Sequence, residues 1–228
     1  MLICELYKSI QGEGLLTGTE SIFVRTSGCN LRCSFCDTPF SSWQPEGQQQ
    51  TVDEIVQQCV RLECSHVVLT GGEPMLQKEV VLLTEGLKAN DLHITIETAG
   101  TIDRPVQCDL MSISPKLSNS TPAVARAGDW TERHERDRHQ PQVIAALTKR
   151  YEYQLKFVVD EPSDCEEILS YLAEFPDINS DRVLLMPQGV VIEDLQQREQ
   201  WVKPFCDQHQ FQLCRRMHIV WFGNKRGT

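Results

Sequence analysis

Short apolar runs recur along this chain with helix-patterned segments between them, and that rhythm limits what it can fold into. The runs are Ile22 to Val24, Val67 to Leu69, Ile94 to Ile96, Leu110 to Ile113, Leu155 to Val159 and Val183 to Met186. Strands alternating with helices predict a mostly parallel sheet. Val52, Ile55, Val56, Cys59 and Val60 fall at helical spacing behind a Thr51–Glu54 capping box. Ser163 with Glu166 repeats that start ahead of Ile168, Leu169 and Leu172, and another amphipathic helix is expected over Leu195 to Cys206. A complete eight-fold β/α barrel takes about 250 residues. With 228 residues and six or seven central strands, an α/β fold in the form of an incomplete, TIM-like β/α barrel is expected, as one domain over 1–228. The stretch 118–141, rich in charge, Ser and Thr, breaks the rhythm and reads as an insertion with the character of a lid.

In parallel β/α folds ligands gather beyond the C-terminal ends of the strands, and the distinctive motifs of this chain land there. After Phe23–Thr26 comes Cys29-Asn30-Leu31-Arg32-Cys33-Ser34-Phe35-Cys36, a C-x3-C-x2-C spacing. A cubane iron–sulfur cluster normally takes four cysteines. Three leave one iron with an open position that a small molecule can occupy. Structural zinc, which wants a closed set of four ligands, and a disulfide with a spare thiol are the other readings of the spacing alone. After Val67–Thr70 comes Gly71-Gly72-Glu73-Pro74. Two residues without side chains let backbone approach a ligand closely, and Glu73 can accept from an ammonium group. Taken alone, this element and Gln11-Gly12-Glu13-Gly14 would be tight polar turns. Arg25 ends a strand beside the cysteine loop, where it can fork onto a carboxylate or serve in a surface ion pair.

Composition narrows the partners. A net charge of −10 argues against the broad cationic surface that nucleic acid requires, and 126–138 mixes both signs without forming a stripe, as a solvated loop or exposed helix would. No apolar run approaches the roughly 18 residues that span a bilayer, and there is no signal segment. A cytoplasmic protein with no membrane partner is expected, in a reducing compartment that suits ten cysteines outside a small disulfide scaffold. Cys59, Cys165 and Cys206 fall on apolar helical faces and read as core. Cys4, Cys64, Cys108 and Cys214 show no ligand spacing. His66 and His93 precede strands as structural residues, and His218 lies in a strand-like stretch.

C-x3-C-x2-C followed by GGEP resembles the radical S-adenosylmethionine (SAM) superfamily. More narrowly, Gln11-Gly12-Glu13-Gly14, Phe23-Val24-Arg25, Cys36-Asp37-Thr38, Thr70-Gly71-Gly72-Glu73-Pro74, Glu97-Thr98-Ala99-Gly100 and Ser114-Pro115-Lys116-Leu117 look like those of the 7-carboxy-7-deazaguanine synthases. The ordered match runs from Tyr7 to Leu117, with weaker agreement over 154–159. The resemblance implies a partial barrel of the radical SAM type with fewer helices than strands. It implies a 4Fe-4S cluster on Cys29, Cys33 and Cys36, with SAM on the remaining iron and against Phe35, Cys36, Asp37, Gly72, Glu73, Ser114, Pro115 and Lys116. It places magnesium (Mg2+) on Thr38 and the substrate against Ile10, Gln11, Gly12, Arg25 and Thr70, where a Gln and a Glu suit the donor and acceptor edge of a pterin.

The implied reaction contracts 6-carboxy-5,6,7,8-tetrahydropterin to 7-carboxy-7-deazaguanine with loss of ammonia. An adenosyl radical removes and returns one hydrogen, the protein's task is mainly positioning, and no residue is nominated as a general base. A flavodoxin or ferredoxin as electron donor and a homodimer follow from the same likeness. Gln188 departs from the family's Gln-Pro order, and the tail to Thr228 runs past the last expected strand. Two alternatives stand beside this reading. A radical SAM activating enzyme acting on a partner protein would need an open groove and leave QGEG and CDT without a role. A non-enzymatic iron–sulfur or zinc protein would neither bind nor cleave SAM.

Overall fold

The structure is a computed structural model and describes residues 1–228. Its elements run β1 (Leu2–Ile10), β2 (Glu20–Thr26), α1 (Pro39–Ser42), β3 (Gln48–Gln49), α2 (Val52–Arg61), β4 (His66–Gly71), α3 (Val80–Lys88), β5 (His93–Thr98) and β6 (Leu110–Ile113). They continue as α4 (Val124–Ala127), α5 (Trp130–Asp137), α6 (Pro141–Arg150), β7 (Tyr153–Val159), α7 (Pro162–Leu172), β8 (Val183–Pro187), α8 (Ile192–His209), β9 (Gln212–Leu213) and α9 (Met217–Phe222). All nine strands form one sheet in the order β3-β1-β2-β4-β5-β6-β7-β8-β9. From β2 across β4, β5, β6, β7 and β8 to β9 every pairing is parallel, while β1 lies antiparallel to β2 and to β3. The two ends of the sheet do not pair with each other, so the barrel is open.

Every apolar run named above is a central strand. Strand β1 was not expected, because its half-buried, mixed sequence lacks an apolar run; antiparallel pairing with β2 from Ile3–Thr26 to Ile10–Glu20 holds it in place. Helices and strands are equal in number, contrary to the expected shortage of helices. Short helices make up the count, and the β5 to β6 connection carries none. Helix α2 begins as read, with Glu54 N–H donating to the Thr51 hydroxyl and the Glu54 carboxylate accepting from Thr51 N–H. Helix α7 begins before the expected Ser163: Pro162 opens it, and the Asp164 carboxylate takes the N–H groups of Asp160 and Glu161. His218 belongs to α9, not to a strand. The 126–138 stretch forms α4 and α5.

Period-two alternation divides the sheet into two chemistries. On one face Ile22, Val24, Val67, Leu69, Ile94, Ile96, Met111, Ile113, Leu155 and Phe157 are fully buried and pack against the helices in a core of 32 buried residues. Each such side chain contributes roughly 1.5–3 kcal/mol relative to an exposed one. The other face presents Arg25, Thr70, Glu97, Ser112, Ser114 and Lys156, which line one large pocket. Apolar burial therefore fixes the sheet from outside and leaves its concave side free for polar work. No helix is long and apolar enough to cross a membrane.

Candidate active site

The pocket has a volume of about 530 Å³ and is walled by the concave sheet face, the cysteine loop, the Gln11-Gly12-Glu13 turn, α9 and the tail from Asn224 to Thr228. That size suits a cofactor together with a small substrate. Cys29, Cys33 and Cys36 all reach its wall, with no fourth cysteine there. No three His, Cys, Asp or Glu side chains converge on a single-ion site. Three spread thiols with one donor missing fit a multi-iron cluster with an open iron better than a closed zinc site. Burial pushes the Cys29 thiol up to about 12 and the Cys33 thiol up to about 11. Coordination to iron would override this, since a bound metal deprotonates its thiols outright.

Backbone contacts set the cysteine loop against the GGEP turn. Gly28 N–H donates to Ser41 O (2.8 Å), Glu73 N–H to Gly28 O (2.9 Å) and Gly72 N–H to Thr26 O (3.1 Å). A Cβ on Gly72 would lie 2.2 Å from Gly28 O and 2.5 Å from Ser41 O. Glycine is therefore required here by the approach of two backbone segments. Glu73 is fully buried: its carboxylate accepts from Thr98 Oγ1 (2.8 Å), Met75 N–H (3.0 Å) and Ala99 N–H (2.8 Å). Burial pushes its carboxyl up and these donors pull it down. It braces the turn and does not reach the pocket wall.

The 118–141 segment holds the cysteine loop from the other side. Ser34 N–H donates to Ser120 O (2.8 Å) and Ser34 Oγ to Asn119 O (3.0 Å). His134, fully buried, accepts the Arg32 N–H at Nδ1 (3.1 Å), and its Nε2 meets Ser120 Oγ at 2.9 Å. Because the Ser120 hydroxyl donates to Leu117 O (2.6 Å), it accepts from the ring, which fixes the Nε2–H tautomer. Burial lowers His134 to about 4, so it is neutral at working pH. With the folded value below the ordinary 6.5, its contribution is whole above that value and is lost as pH falls towards about 4. His134→Leu removes both bonds and leaves the Arg32 N–H unsatisfied. We expect a loss of about 2 kcal/mol, read by denaturant melts, and slower iron uptake during reconstitution; an unchanged midpoint would count against the clasp.

Across the pocket runs a ladder of alternating charges: Asp37, Arg216, Glu13, Lys156, Glu97. Arg216 pairs with Asp37 and, through Nε, with Glu13 Oε1 (3.1 Å), while Nη1 donates to Gly189 O (2.6 Å). Lys156 Nζ pairs with Glu13 Oε2 and reaches Glu97 Oε1 at 3.4 Å, and Glu97 Oε2 accepts from Thr70 Oγ1 (2.8 Å). Both cations are only 7% exposed. Burial alone would raise the Glu13 carboxyl, but Lys156 and Arg216 outweigh it and hold Glu13 well below the usual carboxylate range. His218 Nδ1 stands 3.7 Å from Glu13 Oε1, and the His218 backbone closes on Gly12, where a Cβ would lie 2.4 Å from its nitrogen.

The structure brings Ile10, Gln11, Gly12, Arg25, Phe35, Asp37, Thr38, Thr70, Gly72, Ser114 and Lys116 to this one pocket with the three cysteines. Glu73 and Pro115 stand outside its lining. Arg25 is paired with Glu5 (2.8 Å) and with the Tyr7 hydroxyl (3.2 Å). The Lys116 ammonium donates only to Ser114, at O (2.8 Å) and Oγ (2.7 Å), with no carboxylate partner. Gln188 and Thr228 also line the pocket. Sequence reasoning passed over Lys156, Glu97 and Arg216 as site residues. A lysine between Leu155 and Phe157 in an apolar run was the available signal; for Arg216, far from any motif, there was none.

The radical SAM superfamily model matches residues 23–115, which include the cysteine loop and the GGEP turn. A 7-carboxy-7-deazaguanine synthase of Rhodopirellula baltica is 46% identical over 229 residues, covering 100% of this chain and 89% of the relative. One of Halobacterium salinarum is 44% identical, covering 96% and 89%. Among solved structures, that of QueE from Escherichia coli superposes with a TM-score of 0.70 at 23% identity, over 95% of this chain and 94% of that one, and supports the fold. The full-length identities set aside an activating enzyme and a non-enzymatic iron–sulfur or zinc protein. Motif order, pocket and identity over the whole chain agree: this chain belongs to the 7-carboxy-7-deazaguanine synthases of the radical SAM superfamily, enzymes that work with a 4Fe-4S cluster and SAM.

Proposed function

We propose that the chain converts 6-carboxy-5,6,7,8-tetrahydropterin to 7-carboxy-7-deazaguanine with release of ammonia, within queuosine and related 7-deazapurine biosynthesis. The observation that carries this reading is the division of one pocket into a thiol wall and a charge ladder. When bound, the cluster and SAM supply a 5′-deoxyadenosyl radical that takes one hydrogen from carbon and gives it back. Cys29, Cys33 and Cys36 hold the cluster. Phe35, Cys36, Asp37, Gly72 and Ser114 bound the SAM site, where the unpaired Lys116 ammonium suits a carboxylate; Glu73 and Pro115 set the backbone behind it.

Ile10, Gln11, Gly12 and Thr70 take the pterin, with Glu13 and Glu97 as acceptors for its ring N–H and amino groups. Lys156 and Arg216 keep Glu13 ionised for that purpose. Arg25, steadied by Glu5 and Tyr7, offers its remaining edge to the substrate carboxylate, and the Thr38 hydroxyl gives magnesium one protein ligand beside that carboxylate. These residues position and desolvate the reactants, and none of them is assigned as a general acid or base. The working form is a cytoplasmic homodimer supplied with electrons by a flavodoxin or ferredoxin.

The test is product analysis after anaerobic reconstitution, with the pterin, SAM, magnesium and a reductant. Formation of 7-carboxy-7-deazaguanine without stoichiometric SAM loss is expected. SAM turnover to 5′-deoxyadenosine without that product would overturn the substrate assignment.

A further inference from the structure

Around the cysteine loop the surface changes its electrical character. Residues 28–43 and 116–140 carry six basic and five acidic side chains, whereas the whole chain carries −10, so the rest of the molecule carries −11. Arg32 and Arg126 make no ion pair there. Arg32 Nη1 donates to the carbonyls of Cys29 (2.9 Å) and Leu31 (2.7 Å), and Arg126 Nη1 to that of Ser34 (2.6 Å). Their guanidinium groups lie on indole rings, Arg126 over Trp43 at 4.3 Å and Arg32 over Trp130 at 4.0 Å, with Arg133 also over Trp130 at 4.3 Å. Arg133 is half exposed, and its nearest carboxylate, Asp137, is 3.7 Å away. Of the facing acids, Glu135 is held by Arg138 and Thr121 and Asp137 by Arg136, leaving Asp129 and Glu132 at the start of α5. Beside Arg126, Val124 of α4 is 69% exposed. Beneath Arg126, Trp43 Nε1 donates to Cys33 O at 3.1 Å.

We infer that this face, α4 with Trp43, Arg32, Trp130 and Arg133, is where an acidic one-electron carrier protein docks and passes its electron inward through Trp43. The inference rests on the cluster held by Cys29, Cys33 and Cys36 and not on the identity of the substrate. Arginine and tryptophan around an exposed apolar residue are the side chains that anchor protein interfaces. A partner rich in carboxylates is repelled by the rest of this acidic surface and finds here a neutral-to-basic landing, which sets its arrival rate and orientation. A second copy of this chain, itself strongly acidic, fits less well. The transfer moves one electron from carrier to cluster and makes or breaks no bond.

The test uses the reconstituted full chain without pterin. Bleaching of the cluster absorbance is followed in stopped flow with a reduced acidic flavodoxin and, separately, with dithionite. Binding of the oxidised flavodoxin is measured by calorimetry. Arg126→Glu and Arg133→Glu should slow reduction by flavodoxin about tenfold, weaken its binding in parallel and flatten the salt dependence, with dithionite rates unchanged. Arg126→Gln, which keeps a donor for Ser34 O, should fall between. Arg182→Glu, at the opposite end of the sheet beside the start of β8, should behave as the wild type. Unchanged flavodoxin rates in both reversals, equal slowing with dithionite, equal slowing in Arg182→Glu, or a shift in oligomeric state on Arg126→Glu would each overturn the docking face. A wild type that shows no iron–sulfur absorbance after reconstitution would overturn the cluster assignment, and this inference with it.

Discussion

Gly72→Ala should leave a soluble, cooperatively melting protein that takes up little iron. The added Cβ would meet Gly28 O at 2.2 Å and Ser41 O at 2.5 Å, and neither is the tip of a side chain that can turn away. One is the residue before Cys29, and the other closes the loop through its bond from Gly28 N–H. The strain must therefore be relieved by moving the cysteine loop itself. Overpacking of this kind costs about 3 kcal/mol, which corresponds to roughly a hundredfold in the population of the correctly set loop. Gly86→Ala is the control, since its Cβ meets only Val56 Cγ2, at 2.9 Å, in a helix where alanine is favoured. Iron and sulfide per chain after reconstitution are the readout. A Gly72→Ala protein with full iron content would remove the backbone contact as the reason for glycine.

Lys156→Met should damage folding and turnover together, and the two should be separable by a second change. Lys156 is 7% exposed between Glu13 and Glu97, and its removal leaves a buried carboxylate with one partner fewer. Breaking one side of such a pair costs about 3–5 kcal/mol, which in a chain of this size lowers Tm by roughly 6–20 °C. Adding Glu13→Gln removes the stranded charge, so the double variant should recover most of the lost Tm. It should not recover turnover, because both the acceptor proposed for the pterin and its counter-ion are gone. Recovery of both would make the ladder purely structural; recovery of neither would mean that Lys156 is needed for packing.

The sequence made the scaffold legible because the core obeys simple periodicities. Val67 and Leu69, Ile94 and Ile96, and Leu155 and Phe157 are buried on one face and announce their strands. Most of the motif-bearing rim was legible for the same reason, since the cysteine loop, the GGEP turn, Thr98-Ala99-Gly100 and Pro115-Lys116 each follow a strand that could be counted; Gln11-Gly12-Glu13-Gly14 follows β1, which has no apolar run to announce it. The ladder was not. Arg216 reaches Asp37 across 179 positions and Glu13 across 203, and no local pattern encodes a partner so distant. Glu73 shows another limit: nothing in the motif announces that its carboxylate accepts from Met75, Thr98 and Ala99, which follow from how two turns pack together. His134 sits in a charged stretch that reads as a solvated loop or exposed helix, yet it is fully buried in α5, where both ring nitrogens find partners.

The polar concave face has a consequence for how long a copy of this protein survives. A closed β/α barrel fills its centre with side chains; here the centre is a space of about 530 Å³ bordered by ionised groups. Whatever occupies it completes the interior, so bound molecules act as interchangeable parts of the core. A ligand at a hundred times its dissociation constant adds about 2.7 kcal/mol to the folded state. That is a large fraction of the stability of an ordinary domain. Starving a cell of iron or methionine should therefore lower the amount of this enzyme as well as its rate, because empty copies unfold more often and are degraded first.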